Sequence, residues 1–87
     1  FNDLNPLMPV HVLVVPKSHY NNIIDGIPAA TLESVTKAIA AVTEKMGIKE
    51  TGFRVITNTG KHGGQSVNHV HFHILGGKQM DDSMGGK

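Results

Sequence analysis

The chain of 87 residues contains no cysteine. Disulfide bonds, thiolate nucleophiles and cysteine-ligated metal sites are therefore excluded within it. Long apolar segments are also lacking, because the run Val12–Val15 is far too short to span a bilayer, and the first residues show no signal-peptide pattern. The formal net charge is only +1, which provides no field that would attract nucleic acid or an anionic membrane. We therefore expect neither as a partner and take a cytoplasmic location as the default.

The composition is that of a globular domain. Hydrophobic residues make up 39% of the chain and charged residues 17%. A chain of this length forms at most one domain, residues 1–87. Such a domain buries only about 60–65% of the surface that its unfolded chain exposes, so association with a second copy would add stability.

Two segments have the pattern of strands. Val10–Val15 is an apolar run that Pro16 ends, and apolar residues on both of its faces predict a central strand buried on two sides. Phe53–Thr57 predicts a second strand. It is followed by residues 58–68, which contain three glycines and no large apolar side chain before Val67. We call residues 58–68 the glycine loop, and its length between two antiparallel strands suggests a functional role.

One segment has the pattern of a helix, roughly from Ala30 to Met46. Thr31 is a candidate N-cap, and Gly47 is placed to end the helix in the left-handed conformation. Apolar residues recur at intervals of three and four, which predicts a stripe along one face: Leu32, Val35, Ile39, Val42 and Met46.

Histidine alternates with apolar residues in His-Val-His-Phe-His-Ile-Leu, residues 69–75, which we call the histidine stretch. A strand sends alternate side chains to opposite faces. A strand here would therefore line up three imidazoles on one face and bury the apolar residues on the other. Three more histidines occur: His11 within the first strand, interpreted as buried or as a neighbour of the stretch, and His19 and His62, interpreted as surface residues.

Three interpretations of the histidine face are open. Histidine binds zinc or copper, but same-face neighbours on a strand are about 6.6 Å apart at Cα, so a three-ligand site would need a residue from elsewhere, such as His11. Imidazole is also a nucleophile at neutral pH, and a central His71 could attack a phosphate. The third interpretation is a polar sheet face without chemistry. The glycine loop and Ser66 favour phosphate, because backbone amides there can bind phosphate oxygens.

The histidine stretch matches the His-φ-His-φ-His-φ-φ motif, φ being hydrophobic, of the histidine-triad nucleotide-binding proteins. Gly-Gly-Gln-Ser at residues 63–66, Gly-Gly-Lys-Gln-Met at residues 76–80 and the strand at residues 9–17 resemble the nucleoside phosphoramidase branch. The resemblance covers Phe1 to about Met80. It implies an α+β domain with an antiparallel sheet and one main helix packed on it, which dimerises by joining two sheets. It also implies that the N-terminal part of the family's domain lies outside this chain.

The resemblance gives His71 the role of the nucleophile, which forms a covalent nucleotidyl-histidine intermediate. His69 and His73 flank it, and His73 is similar to a phosphate contact and proton donor. The other matching positions are Asn58, Gly64, Gln65 and Ser66 on the phosphate side, Asp3 at the ribose hydroxyls, and His11, which would support the triad through a hydrogen bond.

The resemblance therefore implies a hydrolase of the P–N bond of purine nucleoside 5′-phosphoramidates. It further implies an AMP-like or GMP-like ligand, a homodimer and no required cofactor or metal. Three alternatives stay open. They are a dinucleoside polyphosphate hydrolase with the same nucleophile, a nucleotide-binding module with little turnover, and a zinc-binding module.

Overall fold

A computed structural model describes residues 8–81, which form three strands and one helix. The elements follow in the order β1 (Val10–Val14), α1 (Ala29–Lys45), β2 (Phe53–Ile56) and β3 (Phe72–Gly76). The sheet has the order β1-β3-β2, and β3 pairs antiparallel with both neighbours. The predicted α+β class, with an antiparallel sheet and one main helix, is confirmed.

The prediction that β1 is a central strand is wrong for the sheet formed by residues 8–81. β3 lies in the middle and β1 lies at an edge. Both faces of β1 are nevertheless largely covered. Val12 and Val14 pack into the core on the helix side, and His11, on the opposite face, is only 5% exposed. Both faces of β1 are therefore buried because side chains pack against them, although β1 has a neighbouring strand on only one side in residues 8–81.

The core lies between the sheet and the helix, on the sheet face opposite His73. Gly76 permits this packing, because a Cβ atom there would lie 2.8 Å from the Cδ1 atom of Ile48. The buried members of the core are Val12, Val14, Val35, Ile48, Val70, Phe72 and Ile74. Phe53 and Val55 of β2 are 40% and 42% exposed, because α1 packs against β1.

The helix begins and ends within one residue of the predicted bounds. The predicted N-cap was wrong: Pro28 is the N-cap, and its carbonyl accepts bonds from the N–H groups of Thr31 and Leu32. Gly47 ends the helix with φ of +72°, as predicted. The apolar stripe packs only in its middle, around Val35, since Leu32 and Met46 are 38% and 40% exposed. In the described part of the chain, no helix is long and apolar enough to cross a membrane.

Candidate functional site

The histidine stretch is a strand only in its second half. β3 begins at Phe72, so His73 lies in the sheet while His69 and His71 precede it. The sheet ends there because its neighbours end: Val14 is the last β1 partner, opposite Phe72, and Ile56 is the last β2 partner, opposite His73. The expectation that all three histidines share one strand is therefore corrected.

The alternation itself extends through the whole stretch. Val70, Phe72 and Ile74 are 1%, 6% and 0% exposed, and the three histidines between and before them are half-buried. Residues 69–71 keep this arrangement through other bonds. The N–H of Val70 donates to the carbonyl of Tyr20 (2.6 Å), and the Thr57 hydroxyl donates to the carbonyl of His71 (2.8 Å).

The middle histidine, His71, has a defined tautomer. Its Nδ1 lies 2.8 Å from the backbone carbonyl oxygen of His69. A carbonyl can only accept, so Nδ1 carries the hydrogen, and the lone pair of the neutral ring is on Nε2. Nε2 makes no hydrogen bond with any residue of the range 8–81, so its lone pair is available to a ligand. A histidine that acts as a nucleophile requires such a lone pair.

The last histidine of the triad, His73, is bonded to β1. Its Nδ1 lies 2.8 Å from Nε2 of His11, and the two ring centroids are 5.1 Å apart. The ring of His73 also lies edge-on to that of His71, with centroids 5.0 Å apart. The hydrogen bond predicted between His11 and the triad is therefore present, and it is made to His73.

The first histidine, His69, has a partner that the sequence interpretation missed. His19 was interpreted as a surface residue without a role. It is exposed, but its Nδ1 lies 2.9 Å from Nδ1 of His69, and its Nε2 lies 3.0 Å from the Asn21 side-chain oxygen. The other nitrogen of His69, Nε2, lies 3.3 Å from the carbonyl oxygen of Pro16. Because 50 residues separate His19 from His69, no local sequence pattern could have revealed this pair.

The glycine loop is closed by Gln65. The Gln65 N–H donates to the Gly60 carbonyl (3.0 Å), and its side-chain oxygen accepts from the Gly60 N–H (2.9 Å). The Gln65 amide nitrogen donates to the carbonyls of Asn21 (2.5 Å) and Val67 (3.0 Å). The N–H of Gly64 is also used, by the Lys61 carbonyl at 3.1 Å. Gly64 and Gln65 were predicted to contact phosphate, but they use these groups for hydrogen bonds within the protein.

Of the remaining predicted site residues, Ser66 is exposed and Asn58 is half-buried. Asp3, the predicted ribose ligand, lies outside the described residues. Within residues 8–81, no three His, Cys, Asp or Glu side chains are arranged to hold a metal ion. Four of the histidines form the two hydrogen-bonded pairs described above.

Comparisons with known proteins agree on the family. The HIT domain model matches residues 1–80. The purine nucleoside phosphoramidase of Escherichia coli is 37% identical over 92% of this chain and 69% of its own length. The 0.95 Å structure of a histidine triad protein from Clostridium difficile has a TM-score of 0.86 and 46% identity, over 95% of this chain and 74% of that one.

A HIT family hydrolase from Legionella pneumophila has a TM-score of 0.92 and 34% identity, and the match covers 98% of this chain and 78% of the other. The similarity therefore extends to nearly all of this chain and includes the glycine loop and the histidine stretch. On this sequence and structural evidence, the chain belongs to the HIT domain family.

Proposed function

We propose that this chain is a nucleotide-binding hydrolase that cleaves the P–N bond of purine nucleoside 5′-phosphoramidates, with His71 as the nucleophile. One observation carries the proposal. The Nδ1–H of His71 donates to the His69 carbonyl, which leaves the lone pair of the neutral ring on Nε2. The 37% identity to a purine nucleoside phosphoramidase supports this substrate class.

The reaction has two steps. Nε2 of His71 attacks the phosphorus while the P–N bond to the leaving amine breaks, and His73 gives the amine nitrogen a proton. Water then attacks the same phosphorus, its proton returns to His73, and the P–Nε2 bond breaks. The products are a nucleoside monophosphate and an amine, and His71 regains its neutral form.

The His69 carbonyl stabilises the first step. When Nε2 bonds to phosphorus, the imidazole ring becomes cationic, and its Nδ1–H then makes a charge-assisted hydrogen bond. Such bonds are about twice as strong as neutral ones. Because the bond strengthens as the reaction proceeds, it stabilises the transition state more than the ground state, which is the condition for raising kcat.

The glycine loop would hold the phosphate with Ser66 and Asn58. Ser66 directly follows Gln65, whose side chain already makes three hydrogen bonds to backbone groups. In this proposal Gln65 acts by shaping the loop, and Ser66, which is exposed, contacts a phosphate oxygen or the leaving group through its hydroxyl. Asp3 would bind the ribose hydroxyls. The reaction as proposed requires no metal or other cofactor.

The proposed active form is a homodimer in the cytoplasm. β2 pairs only with β3 among the described strands, so its outer edge presents backbone groups to a partner strand. Phe53 and Val55 on this strand are large, apolar and more than one-third exposed. A second copy pairing at β2 would cover both features.

The test compares the unchanged chain with His71→Gly. Hydrolysis of adenosine 5′-phosphoramidate is measured by AMP release, next to a diadenosine polyphosphate. We expect turnover of the phosphoramidate to fall below detection in His71→Gly, with an unchanged circular dichroism spectrum. Lys49→Ala, at an exposed residue between α1 and β2, is the control. Undiminished activity in His71→Gly would refute the mechanism. Faster hydrolysis of the polyphosphate would favour the second candidate substrate, and AMP binding without turnover would favour a binding module.

A further inference from the structure

The segment between β1 and α1 contacts the active site at several points. Residues 69–71 lie beyond the ends of both neighbouring strands, so they have no ladder partner. The connection from Pro16 to Asn21 supplies their hydrogen-bond partners instead. The carbonyl of Tyr20 accepts the N–H of Val70 (2.6 Å). The His69 ring contacts the Pro16 carbonyl (3.3 Å) through one nitrogen and His19 (2.9 Å) through the other.

The direction of the bond between His19 and His69 follows from their other partners. Nε2 of His69 faces the Pro16 carbonyl, which can only accept, so Nε2 carries the hydrogen. The lone pair of neutral His69 is then on Nδ1, and His19 must donate to it through its own Nδ1–H. The Asn21 side-chain oxygen lies 3.0 Å from Nε2 of His19 as an acceptor, and the same amide rotated by 180° would present its nitrogen there as a donor. The bond to His69 can therefore form whether His19 is neutral or protonated.

This bond affects the nucleophile through the backbone of residue 69. The His69 ring is held at both of its nitrogens, and its own carbonyl oxygen accepts the Nδ1–H of His71 (2.8 Å). Displacement of the residue 69 backbone would lengthen that acceptor contact. The tautomer of His71 would then no longer be determined, and a fraction of rings would carry the hydrogen on Nε2.

The same connection also contacts the glycine loop. The amide nitrogen of Gln65 donates to the carbonyl of Asn21 at 2.5 Å. The Asn21 N–H in turn donates to Asp25 at 2.8 Å, which stabilises the turn. The His19–Asn21 segment is thus hydrogen-bonded both to Val70, which directly precedes His71, and to the glycine loop.

We infer that His19 is a positioning residue for the reaction, which acts through His69 to hold the Nδ1–H tautomer of His71. It does not touch the reacting atoms. The inference rests on the proposed function in that it takes His71 as the nucleophile. The tautomer of His71 can, however, be measured without any substrate.

Three variants at one position separate the two bonds of His19. His19→Asn places an amide near the position of Nδ1 and keeps a donor for His69. His19→Gln places its amide near the position of Nε2 and keeps only the contact to Asn21. His19→Ala removes both. Lys49→Ala replaces an exposed residue between α1 and β2, outside these contacts and outside the glycine loop, and serves as the control.

We expect kcat for adenosine 5′-phosphoramidate to fall about tenfold in His19→Ala and His19→Gln, with KM within about twofold of the unchanged chain. His19→Asn should restore kcat to within about threefold. Long-range proton–nitrogen NMR spectra of the unliganded protein should show His71 as the Nδ1–H tautomer in the unchanged chain, in His19→Asn and in Lys49→Ala. The spectra of His19→Ala and His19→Gln should show a mixture.

The inference is overturned if the His71 nitrogen shifts are the same in His19→Ala as in the unchanged chain. It is also overturned if Asn, Gln and Ala lower kcat equally and in proportion to a loss of thermal stability, since that pattern indicates a purely structural role. If the unchanged chain hydrolyses no nucleotide, the proposed function fails, and the NMR comparison still decides the positioning role of His19.

Discussion

Gly63 offers a test of whether the shape of the glycine loop determines activity. A Cβ atom at residue 63 would lie 2.3 Å from the backbone oxygen of Thr59 and 3.1 Å from its nitrogen, and real Cβ contacts essentially never fall below 3.0 Å. Gly63→Ala therefore requires a movement of at least 0.7 Å (3.0 minus 2.3) between these two parts of the loop. The atoms in contact are backbone, so a side-chain rotation cannot relieve the clash.

The expected effect on activity is large, and the effect on stability is small. A displacement of about 1 Å at a positioning element can cost about 100-fold in rate, so we expect kcat/KM for adenosine 5′-phosphoramidate to fall roughly 30–100-fold in Gly63→Ala. Gly63 is exposed and lies outside the core. The movement can be taken up within this exposed loop without disturbing the core, so we expect the melting temperature to change little.

Gly47→Ala is the matched control, because the opposite result is expected. Gly47 has φ of +72°, and no atom lies within 4 Å of a Cβ placed there. Alanine in the left-handed conformation costs about 1–2 kcal/mol. Each kcal/mol lowers the melting temperature of a domain of this size by roughly 4–8 °C, so Gly47→Ala should unfold at a lower temperature. Gly47 ends the helix, away from the histidines, so kcat/KM should stay the same.

The reasoning is refuted if Gly63→Ala keeps kcat/KM within about threefold of the unchanged chain while Thr59 and Gly63 remain in contact in its structure. A loss of activity that merely follows a loss of thermal stability would also contradict it, because the loop would then act through the fold. The two glycine variants are measured side by side by steady-state kinetics and thermal unfolding.

Two further predictions concern the support of His73 and the edge of the sheet. His11→Ala removes a side chain that is 5% exposed and its 2.8 Å bond to His73, so the free energy of unfolding should fall by about 1–3 kcal/mol in denaturant titrations. His11→Gln, which can reach His73, should recover part of it, and equal stability of both variants would contradict the bond. Val55→Lys, at a position 42% exposed on β2, should shift a dimer to monomer in light scattering. Ile24→Lys, at 81% exposure, should leave the dimer intact, and a dimer that persists in Val55→Lys would exclude the β2 edge.

The elements could be predicted from the sequence because their signals are local. The apolar run before Pro16, the stripe around Val35 and the glycine at residue 47 each depend on neighbours within a few positions, and the corresponding bounds differ from the structure by about one residue. The position of β1 at an edge could not be predicted in this way. It depends on which strands pair, and the burial of its two faces gives the same pattern in either place.

The candidate site could be predicted in part, for the same reason. The alternation of residues 69–75 predicted which side chains are buried, and Val70, Phe72 and Ile74 are buried as expected. The partners of the histidines come from 50 and 62 residues away along the chain. The partnership with His11 was anticipated only from the resemblance to the family. The hydrogen bond between His19 and His69 could not be predicted from the sequence, because an exposed histidine in a polar connection most often has no functional role.

The early end of the sheet at Phe72 explains why His71 is suited to its proposed role. β3 is the central strand, and a backbone carbonyl in a central strand is used by the ladder. If β3 extended back to residue 69, the carbonyl of His69 would already accept a ladder hydrogen bond, and the Nδ1–H of His71 would have to share that oxygen with it. Because the neighbouring strands end at Val14 and Ile56, that carbonyl accepts the imidazole instead. The alternating pattern supplies three histidines, and the interruption of the strand gives the middle one its orientation and tautomer.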